Sequence, residues 1–188
     1  MSLVTPKAKV RPLYVYSQAF GKEWVTVGAY VRAHEGEPAK FRYAPSYLER
    51  EDWVSIDPVN LPSTKSNESF VAPRYQGLHD VLRDTCPDSW GQKLSIKYRG
   101  LSEKASPLEF FKATDNSDRW GALAVGDRAQ ASSTQIQTPK LADIEQVIHE
   151  LHAMEKGTPA INQRLRNQSA QTGLGGARPK VTVQDQEG

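Results

Sequence analysis

The chain has 188 residues and a mass of 20.9 kDa, room for one domain with at most a small companion and for a sizeable core. Its 38% hydrophobic and 9% aromatic residues exclude disorder throughout, and Lys+Arg 24 against Asp+Glu 22 leaves a net charge of +2, too little to steer a polyanion by overall field. No run approaches the roughly 18 apolar residues of a membrane span, and neither an apolar signal region nor a second cysteine points to export, so a cytoplasmic protein that avoids membranes is expected.

Pro12–Ser17 and Trp24–Ala33 alternate β-branched and aromatic residues with others, and Gln18–Lys22 supplies turn chemistry between them, which predicts a hairpin. A third strand is expected at Lys40–Tyr43, after the turn signals Glu35, Gly36 and Pro38, with Pro45 ending the regular structure there. Asp57–Pro73 has no periodicity and reads as a long connection. Beyond it the period changes. Leu78, Val81 and Leu82 share a helical face that ends at Cys86-Pro87. Asp88 is placed to cap a second helix through Leu94 and Tyr98 to Gly100. Ser106, Pro107 and Glu109 predict a capping box with proline at the first helical position, ahead of Phe110 and Phe111. Gly121–Val125 predicts a short strand. Ala129–Thr138, rich in Ser, Thr and Gln, reads as a linker. Thr138-Pro139 is placed to open a helix with Leu141, Ile144, Val147, Ile148 and Leu151 on one side and Gly157 at its end. A further helix from Thr158-Pro159 to near Asn167 and a strand at Pro179–Gln184 complete the series. Met1–Leu3 and Glu187–Gly188 read as vector residues around a cloned insert, and a fragment of a longer protein is expected.

The stretch most informative about chemistry is Thr172–Lys180, TGLGGARPK. Gly173, Gly175 and Gly176 lack the Cβ atoms that hold a phosphate away from the main chain, and they permit the conformations that aim successive N–H groups inward. Arg178 and Lys180 add positive charge beside them. Val181 stands where a Walker loop carries Ser or Thr, and the glycines precede a predicted strand rather than open a helix, so the order is nearer to a kinase glycine-rich cover than to a dinucleotide fingerprint. On composition alone a mobile linker or ordinary turn is the favoured reading of this stretch. Other candidates are weaker. His149 and His152 have i, i+3 spacing but no third ligand, and a solvated helix flank explains them, while His34 and His79 lie far apart. Asp84, Asp88, Asp115 and Asp118 read as caps and turns, Trp53, Trp90 and Trp120 as core, and Cys86 as a buried, inert thiol.

Four segments in order resemble the HipA family, serine/threonine-protein kinases that act as toxins of bacterial HipBA-type toxin–antitoxin pairs. They are FRYAPSYLE at Phe41–Glu49, LRDTCPDSWGQ at Leu82–Gln92, SPLEFFKATDNSDRWGALAVG at Ser106–Gly126 and GLGGARPK at Gly173–Lys180, spread in order through Tyr14–Gln184. The resemblance implies an α+β fold. A HipA-like N-terminal subdomain of small antiparallel or mixed sheet with packed helices would span 4–128. A linker at 129–138 and the start of a kinase-like N-lobe at 139–186 would come next, with 1–3 and 187–188 set aside. It implies that Gly173, Leu174, Gly175, Gly176, Ala177, Arg178 and Lys180 bind nucleotide, with ATP and Mg2+ as cofactors of the full-length kinase. The lysine and aspartates of phosphoryl transfer would lie after this segment, so the fragment alone is expected to be inactive. A HipB-like helix-turn-helix antitoxin is the expected partner and would supply any DNA contact. The expected substrate is a protein, such as an aminoacyl-tRNA synthetase. Family members often carry a serine where this chain has Gly173, whose autophosphorylation expels the loop. Gly173 cannot accept phosphate, and Thr172 is the adjacent hydroxyl. The rival readings are a non-catalytic regulatory module that docks on a kinase or antitoxin, and a nucleotide-binding protein unrelated to kinases.

Overall fold

A computed structural model describes residues 11–19, 23–32, 37–62, 68–113, 116, 121–131, 140–157, 183 and 185. The fold is α+β. The chain divides into two compact units, Met1–Arg83 with Ala124–Ser132, and Asp84–Leu123 with Ser133–Gly188.

The first unit is built on a five-stranded sheet of β1 (Leu13–Ser17), β2 (Val25–Val31), β3 (Lys40–Tyr43), β4 (Phe70–Val71) and β5 (Leu123–Gly126), in the order β4-β3-β2-β1-β5. β1 with β2, β2 with β3 and β3 with β4 pair antiparallel. Alternation sets which side is core: Phe41 and Tyr43 are buried while Lys40 and Arg42 are exposed. The core is strongly aromatic. Phe41 meets Tyr30 at 5.3 Å between ring centroids and Tyr43 edge-on at 5.0 Å, a geometry that opposes the electron-rich face of one ring to the electron-poor edge of another. Gly28 faces Tyr43 across the β2–β3 pair, and a Cβ there would lie 2.2 Å from the Arg42 carbonyl oxygen, so β3 can approach β2 only because position 28 has no side chain.

Several local outcomes differ from the sequence reading. Pro45 does not end regular structure but takes the first position of a short helix, α1 (Pro45–Leu48), where its missing N–H costs nothing. Tyr47 of this helix stacks on Tyr43 at 6.0 Å and 11°. The long connection contains strand β4, whose two residues pair with Lys40 and Phe41. It also contains a bridge between Asp57 and Leu61. The helix expected from Leu78 to Cys86 shrinks to α2 (Asp80–Arg83), because Leu78, with ψ 122°, is still extended after a 3-10 turn at Tyr75–Gly77. The start of the predicted linker is tied to the sheet: Tyr16 donates from its hydroxyl to the Arg128 carbonyl at 2.5 Å, and Thr26 to the Ala129 carbonyl at 2.7 Å.

The second unit contains α3 (Ser89–Arg99), α4 (Pro107–Ala113) and α5 (Ile144–Lys156). Asp88 caps α3 by accepting from the Gly91 N–H at 2.8 Å, and Gly100 closes the helix in the left-handed region, both as the sequence predicts. The capping box of α4 forms: Glu109 accepts from the Ser106 N–H at 2.7 Å, and Ser106 accepts from the Glu109 N–H at 3.3 Å. α5 starts after a 3-10 turn at Leu141–Asp143 and stops at Gly157; of the predicted apolar side Val147 and Leu151 are buried, whereas Leu141 and Ile148 are 49% and 45% exposed. The helix expected at 158–167 lies outside the described residues. So does the strand expected at 179–184, except Val183, which belongs to no strand.

Candidate functional site

Thr172, Gly173, Leu174, Gly175, Gly176, Ala177, Arg178 and Lys180 lie outside the described residues. Among the other sequence candidates, His149 and His152 are both exposed on α5. Trp90 is 6% exposed and Trp53 half-buried, while Asp88 serves as a helix cap. Trp120, Asp115, Asp118 and His34 fall outside the described residues. Cys86 is half-buried rather than buried, because it sits in the short passage between α2 and α3, where its thiol approaches the Pro107 carbonyl at 3.8 Å. Among the described residues no group of three or more His, Cys, Asp or Glu could hold a metal ion, and no helix is long and apolar enough to cross a membrane.

The structure assembles a different polar centre, around His79, within the first unit. His79 is only 3% exposed. Its N–H donates to the Tyr30 oxygen at 3.1 Å, and the Tyr30 oxygen and the His79 Nδ1 stand 2.6 Å apart. The main-chain N–H can only donate, so the Tyr30 oxygen accepts there, and the tautomer of the ring sets which of the Tyr30 hydroxyl and Nδ1 donates in the second bond. Burial pushes the His79 pKa below its ordinary 6.5, against the opposing pull of the Asp57 and Asp80 carboxylates. A cavity of about 40 Å3 lies beside the ring, lined by Asn60, Ala72, Pro73, Arg74, Leu78, His79 and Asp80. It has room for one or two waters and falls far short of the several hundred Å3 that a nucleotide occupies.

Two rigid pieces frame this centre. On one side, Asp57 gathers a tight turn: its Oδ1 accepts from the Val59 and Asn60 N–H groups at 3.1 and 3.0 Å and its Oδ2 from the Asn60 amide at 2.8 Å. Burial raises the carboxyl, but these bonds outweigh it and hold the Asp57 pKa below the usual carboxylate range. Tyr43 anchors the end of the turn by donating to the Leu61 carbonyl at 2.9 Å, a hydroxyl that burial makes harder to ionise. On the other side, Asp80 accepts from Arg74 at 2.8 Å and lies 3.7 Å from Arg83, and both guanidinium groups stand over the Tyr75 ring, at 5.7 and 4.8 Å. Tyr75 has φ +52°, uncommon outside glycine. Gly77, at φ +92°, lets this segment lie directly on the Ala39 main chain, where a Cβ would fall 2.3 Å from the carbonyl oxygen. In the sequence His79 stands among isolated histidines. No local signal joins it to Tyr30, 49 residues earlier, and only the burial expected on one face of β2 points inward.

The chain matches no family model, no curated protein and no solved structure.

Proposed function

We propose that the chain is the amino-terminal portion of a HipA-like serine/threonine-protein kinase, in which Thr172–Lys180 covers the phosphates of ATP. The observation that carries this reading is the ordered likeness of the four segments, above all the glycine-rich one with Arg178 and Lys180 beside it. Phosphoryl transfer is largely a matter of positioning and charge neutralisation. Bare main-chain amides at Gly173, Gly175 and Gly176 suit the first task, and the two cations suit the second. Mg2+, when bound with ATP, would supply charge neutralisation at the phosphates. Its ligands would come from chain beyond this segment, together with the lysine and aspartates of transfer, so these 188 residues would bind ATP weakly and transfer nothing. The roughly 40 Å3 cavity beside His79 is too small to be a nucleotide site.

The HipA-like reading further assigns a protein serine or threonine as acceptor, a HipB-like antitoxin as partner, and a cytoplasmic setting. The test is transfer of labelled γ-phosphate by the polypeptide of the full reading frame, compared with its Arg178→Ala/Lys180→Ala variant and with residues 1–188. Phosphoryl transfer that falls at least about a hundredfold in the variant, roughly 3 kcal/mol of lost transition-state stabilisation, is the expected result. A full reading frame that ends near Gln186 and binds a kinase or antitoxin instead would replace this reading with the regulatory module. Micromolar ATP binding by residues 1–188 alone would favour an unrelated nucleotide-binding protein.

A further inference from the structure

We infer that the outward face of the sheet, centred on Lys40 and Arg42, docks an extended acidic segment of a partner protein. This inference is independent of the kinase reading and uses only the first unit. Direct cross-strand partners share one face of a sheet. The register Val31↔Lys40 and Lys40↔Val71 therefore sets a valine, a lysine and a valine in one row, and Ala29↔Arg42 with Tyr14↔Ala29 sets the next row beside it. The opposite face is the aromatic core of Tyr30, Phe41 and Tyr43.

Three features define the occupant. Lys40 and Arg42 are exposed, stand two residues apart and have no ion pair among the described residues, whereas Arg50, Arg74 and Arg83 each face a carboxylate. Ser69 accepts from the Arg42 Nε, which fixes the guanidinium and leaves its terminal nitrogens for a carboxylate. The spacing of the two cations along β3 is the side-chain repeat of an extended chain, about 7 Å, so carboxylates at alternate positions of a strand match them. Val31 and Val71 remain 42% and 51% exposed on either side of Lys40, and apolar residues of the same segment would cover them. β4 is an edge strand of the sheet, two residues long. Single-stranded nucleic acid fits less well, since it stacks on aromatic platforms and among the described residues this face offers aliphatic valines and one half-buried ring, Tyr14.

The test titrates the chain with three probes: a hexapeptide alternating valine with aspartate, its valine–lysine counterpart, and single-stranded oligo-dT, each followed by calorimetry and amide NMR shifts. Saturable binding of the acidic peptide, with shifts at Val31, Lys40, Arg42 and Val71 and weakening as salt rises, is expected. Lys40→Gln/Arg42→Gln should lower that affinity about tenfold, and Val31→Thr/Val71→Thr should weaken it without changing its salt dependence. Both variants keep β-compatible side chains, and circular dichroism checks their folding. Equal affinity for the basic peptide, shifts confined elsewhere, preference for oligo-dT through the same residues, or no binding at millimolar peptide would each overturn the inference.

Discussion

Replacing Tyr30 with phenylalanine isolates the hydroxyl that lies between the His79 N–H and its Nδ1, at 3.1 and 2.6 Å. The ring stays, so aromatic packing against Phe41 is kept, and the change removes one oxygen. Two buried groups lose their partner, and each orphaned group costs about 1–3 kcal/mol. The cavity beside the ring, about 40 Å3, admits a water that can restore one of them. The expected net loss is about 2 kcal/mol. Urea denaturation tracked by circular dichroism reads it as a lower midpoint with an unchanged slope. A loss below about 0.5 kcal/mol would refute the claim that the Tyr30 hydroxyl satisfies these two buried groups.

The same centre sets a pH dependence. With its folded pKa held below 6.5 by burial, His79 binds fewer protons folded than unfolded in the window between the two values. Stability is therefore complete above about pH 6.5 and falls as pH drops through that window, by up to about 1.4 kcal/mol per unit. His79→Gln should flatten this slope, and a slope of opposite sign would contradict it. Asp57→Ala should cost about 1–2 kcal/mol and speed hydrogen exchange at the Val59 and Asn60 amides, with Val59 already 85% exposed at the turn tip. Gly77→Ala should destabilise by about 2 kcal/mol or more in thermal melts, since it combines a positive φ with a main-chain clash against Ala39. Ser95→Ala should stabilise by about 1 kcal/mol, because the fully buried Ser95 hydroxyl has no hydrogen-bond partner among the described residues and alanine favours the helix. A lower melting temperature would show that the hydroxyl is satisfied.

How much of the fold is legible in the sequence depends on the range of the interactions involved. The three main strands, the Asp88 cap and the Ser106–Glu109 capping box are legible because each is written within a few neighbouring residues, as alternation or as a short polar motif. β4 escapes because a two-residue strand has no period of its own and exists only through pairing with Lys40 and Phe41. Pro45 misleads because proline both ends one element and opens another, and only Tyr47 stacking on Tyr43 decides between them. The helix expected from Leu78 is shortened by Gly77, whose close approach to Ala39 holds the chain extended through Leu78. The His79 centre joins β2, the Asp57 turn and the segment before α2, contacts that no local window contains.

The claim on which the functional reading turns is that main-chain amides of the glycine-rich segment grip nucleotide phosphates. Hydrogen exchange at Gly173, Gly175 and Gly176, in the polypeptide of the full reading frame with and without Mg2+ and a nonhydrolysable ATP analogue, measures this at the atoms concerned. Slowed exchange at these amides on nucleotide addition, lost in Arg178→Ala/Lys180→Ala, is the expected result. Exchange unchanged at saturating nucleotide would contradict the kinase reading.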